Sequence, residues 1–184
     1  VWDTVSGEVA HRVELSSGYV RCVAWSPDGK SIAVALNDKS FEIWNVADEI
    51  WNVADWRRDR TFDFNVHDVS WSPDGKWLAV CHFHLVKTWN TDTWEPGPEF
   101  LHPYHSGLRW GPDSKQLVSA GPETWCVVWD LETGQQIRKF RGADARWIKV
   151  WLSANEKWFV TLNPYSIQVW DAKVPGHPIQ SLGY

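Results

Sequence analysis

His82 and His84 stand two apart, so on an extended strand their imidazoles would share one face, and His102 and His105 follow. Four histidines are the raw material of a metal site. Their spacing matches no closed ligand set and no acidic partner stands at a recognisable interval. They read as ordinary surface or hydrogen-bonded histidines, with no metal and no other cofactor expected. Cys22, Cys81 and Cys126 include no Cys-x-x-Cys pair and read as small buried apolar residues in a reducing compartment. Asp28, Asp74 and Asp113 each follow a proline, the position of a turn-former, not of a general acid or base. No Gly-x-Ser-x-Gly, phosphate loop or zinc-protease motif occurs. No catalytic residue is nominated, and the chain reads as non-enzymatic.

The sixteen tryptophans raise a different possibility, a carbohydrate- or cation-binding surface. Most are claimed first by a repeat. Trp-Ser-Pro-Asp-Gly-Lys occurs at Trp25–Lys30 and Trp71–Lys76, and decays to Trp-Gly-Pro-Asp-Ser-Lys at Trp110–Lys115. Downstream of each comes a Trp followed by Asn or Asp: Trp44-Asn45, Trp89-Asn90, Trp129-Asp130, and finally Trp170-Asp171. The chain itself opens on Trp2-Asp3. Alternating punctuation of this kind means one supersecondary unit used several times.

Each unit reads as four short strands. The first is apolar (Val20–Trp25, Val66–Trp71) and ends in a tight Ser-Pro-Asp-Gly turn. The second follows at Ser31–Ala35, Trp77–Cys81, Gln116–Ala120 and Trp158–Leu162. The third is Ser40–Trp44 or Trp125–Trp129, and the fourth, as in Gln135–Phe140, is a more polar edge. In the last unit Ser153-Ala154-Asn155-Glu156-Lys157 stands in for Ser-Pro-Asp-Gly-Lys. Trp56, Trp94, Trp125 and Trp147 fall outside the repeat's Trp positions and are the better surface candidates.

Spacing adds one irregularity. Trp71 to Trp110 is 39 residues, whereas Trp25 to Trp71 is 46, and the seven extra have a visible source. Glu42–Asp48 is repeated unchanged as Glu49–Asp55. The first copy is expected to fill the third strand and the second to extend the next turn. The resulting divisions are a leading strand pair over 1–15 and units over 16–64, 65–101, 102–140 and 141–184.

Composition narrows the function classes. Of 184 residues, 43% are hydrophobic and 22% charged, which suits a packed domain, and the formal net charge of −5 argues against nucleic-acid binding. No apolar run reaches the roughly 20 residues of a membrane helix. The lack of any Met and the opening on a closing motif suggest a segment of a longer, intracellular polypeptide, with cytoplasm the expected compartment and the nucleus an alternative.

On these motifs the chain resembles the WD-repeat β-propeller family. The best match is Asp38-Lys39-Ser40-Phe41-Glu42-Ile43-Trp44 in the first unit. The resemblance implies an all-β fold, four WD-type blades of four antiparallel strands, forming an incomplete ring. The family's Gly-His blade entry is missing, so the blades are expected to rely on packing more than on the polar network that His anchors. An open array would expose strand edges and an apolar flank. Further blades from the same polypeptide, a partner or a second copy would complete it.

The family habit places binding on the face made by the fourth-to-first and second-to-third strand connections. There fall Tyr19, Arg21, Asn37, His84, His102, Tyr104, His105, Glu123, Trp125, Arg146, Trp147 and Tyr165. Aromatics and Arg on rigid loops are the types that anchor protein interfaces. The expected function is a protein-interaction scaffold within a larger protein, its partners proteins or peptides. One rival is a sensor propeller restraining a fused effector. Another is a carbohydrate-binding or hydrolytic propeller, which would want carboxylates around the central channel, where the register places none.

Overall fold

The computed structural model describes residues 1–9, 12, 19–37, 41–45, 57–62, 65–101, 107–121, 125–141, 149–153, 155, 157–163, 165–172 and 178–183. These form sixteen strands in four antiparallel four-stranded sheets. The first sheet is β1 Val20–Trp25, β2 Ser31–Leu36, β3 Phe41–Asn45 and β4 Arg57–Phe62. The second is β5 Asp68–Trp71, β6 Trp77–His82, β7 Leu85–Asn90 and β8 Pro96–Leu101. The third is β9 Gly107–Trp110, β10 Gln116–Ala120, β11 Trp125–Asp130 and β12 Gln136–Arg141. The fourth is β13 Lys149–Leu152, β14 Trp158–Asn163, β15 Ser166–Asp171 and β16 Gln180–Gly183.

Strands pair in chain order within each sheet, and the sheets meet through their first strands: β1 against β5, β5 against β9, β9 against β13. The result is four propeller blades in an open arc with β1, β5, β9 and β13 innermost. The first copy of the duplicated heptapeptide supplies Glu42–Asn45 of β3, as expected. The second copy lies outside the described residues.

The first hairpin of each blade is held by the turn chemistry that its sequence announces. Ser26 Oγ donates to Asp28 Oδ1 (2.5 Å), which also accepts from Lys30 N, while Ser31 N donates to Ser26 Oγ. Ser72, Asp74 and Lys76 repeat this, and so do Ser153, Asn155 and Lys157 in the last blade. These hydrogen bonds hold the carboxyl of Asp28 below the usual carboxylate range; at Asp74 burial pushes the other way, and its hydrogen bonds together outweigh it to the same effect. Gly29 and Gly75 adopt φ of 73° and 74°, and Ser114 takes φ of 61° at the same place in the decayed copy. A serine bears that strain with a return, because its hydroxyl accepts from Asp74 N of the neighbouring blade (3.0 Å). After three of the closing Trp residues the Asn or Asp caps the following turn: Asn90 Oδ1 accepts from Asp92 N and Thr93 N, Asp130 Oδ1 from Thr133 N, and Asp3 Oδ1 from Val5 N and Ser6 N.

The core lies between blades. Ala33, Ala35, Phe41 and Ile43 of the first blade meet Val69, Leu78, Val80 and Trp89 of the second. Ala79, Cys81, Val86 and Phe100 meet Leu108, Trp110, Leu117 and Trp129 of the third, and Val118, Ala120 and Cys126 meet Val150, Phe159 and Trp170 of the fourth. Small residues on one blade thus receive large ones from the next. Indoles of the first strands join the blades directly: Trp71 Nε1 donates to Ala24 O and Trp110 Nε1 to Ser70 O.

Three expectations need correction. Packing does not replace the polar network everywhere, since Trp129 Nε1 donates to Ser119 Oγ (2.8 Å) and Trp170 Nε1 to Thr161 Oγ1 (3.0 Å). The first two blades carry Val34 and Val80 at the matching second-strand position, and there Trp44 Nε1 turns to Glu42 Oε2. Secondly, Trp94 is no surface candidate. It takes φ of 60° in the turn where the third blade uses Gly134, and packs on Trp71 and Phe62 with Arg60 stacked 5.0 Å above it. Thirdly, Trp25 (42% exposed) and Trp158 (40%) occupy repeat positions without becoming core. Each sits on a blade face that no other described blade covers.

Candidate interaction face

The end of the blades bearing the fourth-to-first and second-to-third connections gathers Tyr19, Arg21, Asn37, His67, His82 and Phe83 over the first two blades. Tyr19 and Asn37 clamp the end of the β1–β2 hairpin: Tyr19 N donates to Asn37 Oδ1 (2.7 Å) and Asn37 N to Tyr19 O (2.9 Å). The phenol is thereby fixed at its backbone yet 80% exposed. Between Val20 and Cys22 the pairing with β2 slips by one residue, so Arg21 is the extra residue of a β-bulge. Bulges re-aim side chains, and this one lets Arg21 Nη1 donate to His67 Nδ1 (3.2 Å) of the next blade.

Phe83 is the first of two residues linking β6 to β7, with φ of 44°. Glycine is the usual occupant where a two-residue hairpin needs positive φ, and a bulky side chain there is a true outlier. Its ring lies edge-on to His67 (5.3 Å) and His82 (5.0 Å) and remains 44% exposed. The strain therefore presents an aromatic against His67, the partner of Arg21. Phe83→Gly is expected to leave folding stability within about 1 kcal/mol of the parent, because relief of the left-handed penalty offsets the lost contacts. Phe83→Ala, which keeps the penalty, should be the less stable variant by chemical denaturation.

His67 is held neutral. Burial lowers its pKa below the ordinary 6.5, and the charges of Arg21 and His82 add to the effect; burial and Lys87 lower His82 likewise. A neutral His67 is also what Arg21 requires, since Nδ1 must accept. The folded state binds fewer protons here than the unfolded one. The stability tied to His67 is thus complete above pH 6.5 and is lost as the pH falls through the depressed value. Thermal midpoints should fall between about pH 7 and about pH 5, and His67→Asn should flatten that slope.

Below this face the innermost strands carry an ion cluster. Asp68 of β5, its side chain 4% exposed, accepts from Arg109 Nη1 of β9 (3.0 Å) and faces Lys149 Nζ of β13 (3.5 Å). Leu108 N and Val69 N also donate to its carboxylate. The sequence register placed no carboxylate at the channel. The structure puts one there, neutralised by two cations.

Of the other expected site residues, His84 is exposed beside Phe83, whereas Tyr165 is exposed on the fourth blade, away from this cluster. Trp125 opens β11, and its side chain lies outside the described residues, as do His102, Tyr104, His105, Glu123, Arg146 and Trp147. Among the described residues no group of three or more His, Cys, Asp or Glu is placed to hold a metal. The cysteines form no disulfide; burial pushes the Cys22 and Cys126 thiols up to about 12 and Cys81 higher still, far from thiolate chemistry. His67, Phe83 and Asp68 escaped the sequence reading.

Comparison with known proteins agrees with this architecture. The family described as WD40, "WD domain, G-beta repeat", matches residues 7–45 and 56–85. A guanine nucleotide-binding protein subunit beta from Zea mays is 22% identical over 190 aligned positions, covering 98% of this chain and 40% of that protein. Protein HIR1 from Cryptococcus neoformans is 35% identical over 48 residues, 26% of this chain and 5% of its own length. The solved "Structure of U3-55K" superposes with a TM-score of 0.73 at 20% identity, over 86% of this chain and 50% of that one. The chain thus spans about 40% of the length of the maize protein.

Proposed function

We propose that this chain, whose residues 7–45 and 56–85 match the WD-repeat family, is a member of it and acts without catalysis as a protein-interaction scaffold, docking partners on the face around Tyr19, Arg21 and Phe83. One observation carries the reading: Tyr19 is fixed at its backbone by Asn37, Arg21 by His67, and Phe83 is set against the His67 and His82 rings at the expense of backbone strain. Pre-ordered aromatics and Arg lose little entropy on docking, and these residue types dominate interface energetics. Support also comes from the maize relative, whose name makes it a subunit and hence part of an assembly. The partner, the remainder of the polypeptide and a cytoplasmic location belong to the same proposal.

Affinity capture from extract with the intact protein tests it. Proteins retained by the parent should be lost from a Tyr19→Ala/Phe83→Gly variant and kept by Lys30→Gln, which alters the opposite end of the blades. Equal recovery by all three would overturn the assignment of the face.

A further inference from the structure

The chain carries a net charge of −5, yet the described charged residues of its inner rim are mostly basic. Four innermost strands contribute there: Arg21 from β1, Asp68 from β5, Arg109 from β9 and Lys149 from β13. They converge on one region, since Arg21 bonds to His67 (3.2 Å), the chain neighbour of Asp68, and Asp68 contacts both Arg109 (3.0 Å) and Lys149 (3.5 Å). Among the described residues of this rim stand three cations and one carboxylate, which two of the cations contact. All three cations are held from beneath, Arg21 by His67 and the other two by Asp68, so their positions are set before anything binds.

Their bonding capacity is not used up. A guanidinium has five N–H donors. Arg21 has one polar partner among the described residues, and Arg109 spends Nη1 on Asp68 Oδ2 and Leu108 O. Lys149 remains 45% exposed and Arg109 30%. An arrangement that merely needed to neutralise Asp68 would require one cation, not a surplus open to solvent. The bulge turns Arg21 toward His67, on whose ring the exposed Phe83 lies edge-on, and the exposed Tyr19 stands two residues before Arg21 in the chain.

We infer that the inner rim selects acidic peptides, with an Asp or Glu side chain of the partner seated over Arg21 and Lys149 while the partner's neighbouring apolar residues rest on Tyr19 and Phe83. Asp68 tunes the choice: a single carboxylate adds to the site without excessive repulsion from the one already there. The inference rests on the docking face proposed above and specifies what that face recognises. Complementary charge of this kind raises association rates and rejects basic partners, and it weakens with salt.

The test is selection of displayed random 12-residue peptides on the full-length protein, followed by affinity measurement for the enriched sequences. Enriched peptides should share an acidic residue next to an apolar one. Their binding to Arg21→Gln/Lys149→Gln should fall by at least about tenfold and decline steeply with added salt. Arg109 and Asp68 are untouched in this variant, and a thermal melt near the parent's will show that its fold is kept. Enriched peptides without acidic residues, or acidic peptides bound equally by the variant, would overturn the inference while leaving the docking face standing. Enriched peptides indifferent to Tyr19→Ala/Phe83→Gly would overturn the docking face itself.

Discussion

Arg109→Met should destabilise the protein by about 3 kcal/mol, several times the loss from Lys149→Met. Both cations touch the same carboxylate, at 3.0 and 3.5 Å, so distance alone does not separate them. Burial does. Asp68 is 4% exposed and cannot recover solvation if its closer, hydrogen-bonded partner is removed. Lys149 is 45% exposed, its attraction is screened by water, and its removal should cost no more than about 1 kcal/mol. Asp68→Asn should fall between, near 2 kcal/mol, since the amide oxygen can still accept from Leu108 N while both cations reach solvent. The double variant Asp68→Asn/Arg109→Met should then cost less than the sum of its parts, because no buried charge is left unpaired. Equal losses for Arg109→Met and Lys149→Met by urea denaturation would contradict this account of the rim.

Phe100→Ala should lower stability by about 3 to 5 kcal/mol. Phe100 is 1% exposed and is the one fully buried side chain of β8, whose other five residues are exposed or half-buried. Its ring lies 5.3 Å from that of Trp129, within the core shared by the second and third blades. Truncation would open a cavity there and release the outer strand from the neighbouring blade. Leucine, which refills most of the volume, should restore more than half of the loss. A thermal melt of Phe100→Ala close to the parent's would mean that β8 is not pinned from inside.

The blades were legible because their determinants are local and repeated. Ser-Pro-Asp-Gly writes a hairpin turn, Trp-Asp writes a strand end with a cap, and four copies remove ambiguity of register. Even the divergent Ser153–Lys157 turn closes with the bonds of its relatives. The site was legible only where it follows from position, as for Tyr19, Arg21 and Asn37 beside a known strand. Phe83 was not legible, because its meaning lies in a backbone angle that no spacing encodes. Asp68, Arg109 and Lys149 stand on three different blades, and their meeting depends on how the sheets are arranged. A charged residue opening an otherwise apolar inner strand was the one available signal. Trp25 and Trp158 show the converse limit: a residue in a repeat position becomes core only when a neighbouring blade covers it.

Docking of partners over the first two blades, at the Tyr19–Phe83 face, has a footprint that exchange can read. Hydrogen–deuterium exchange of the intact protein with and without a captured partner measures this directly. Protection should concentrate at Tyr19–Cys22, at Asn37 and across the His82–Leu85 turn, and spare the Pro27–Lys30 and Asp92–Trp94 turns at the opposite end. Protection confined to those opposite turns, with the Tyr19 and Phe83 segments unchanged, would contradict it.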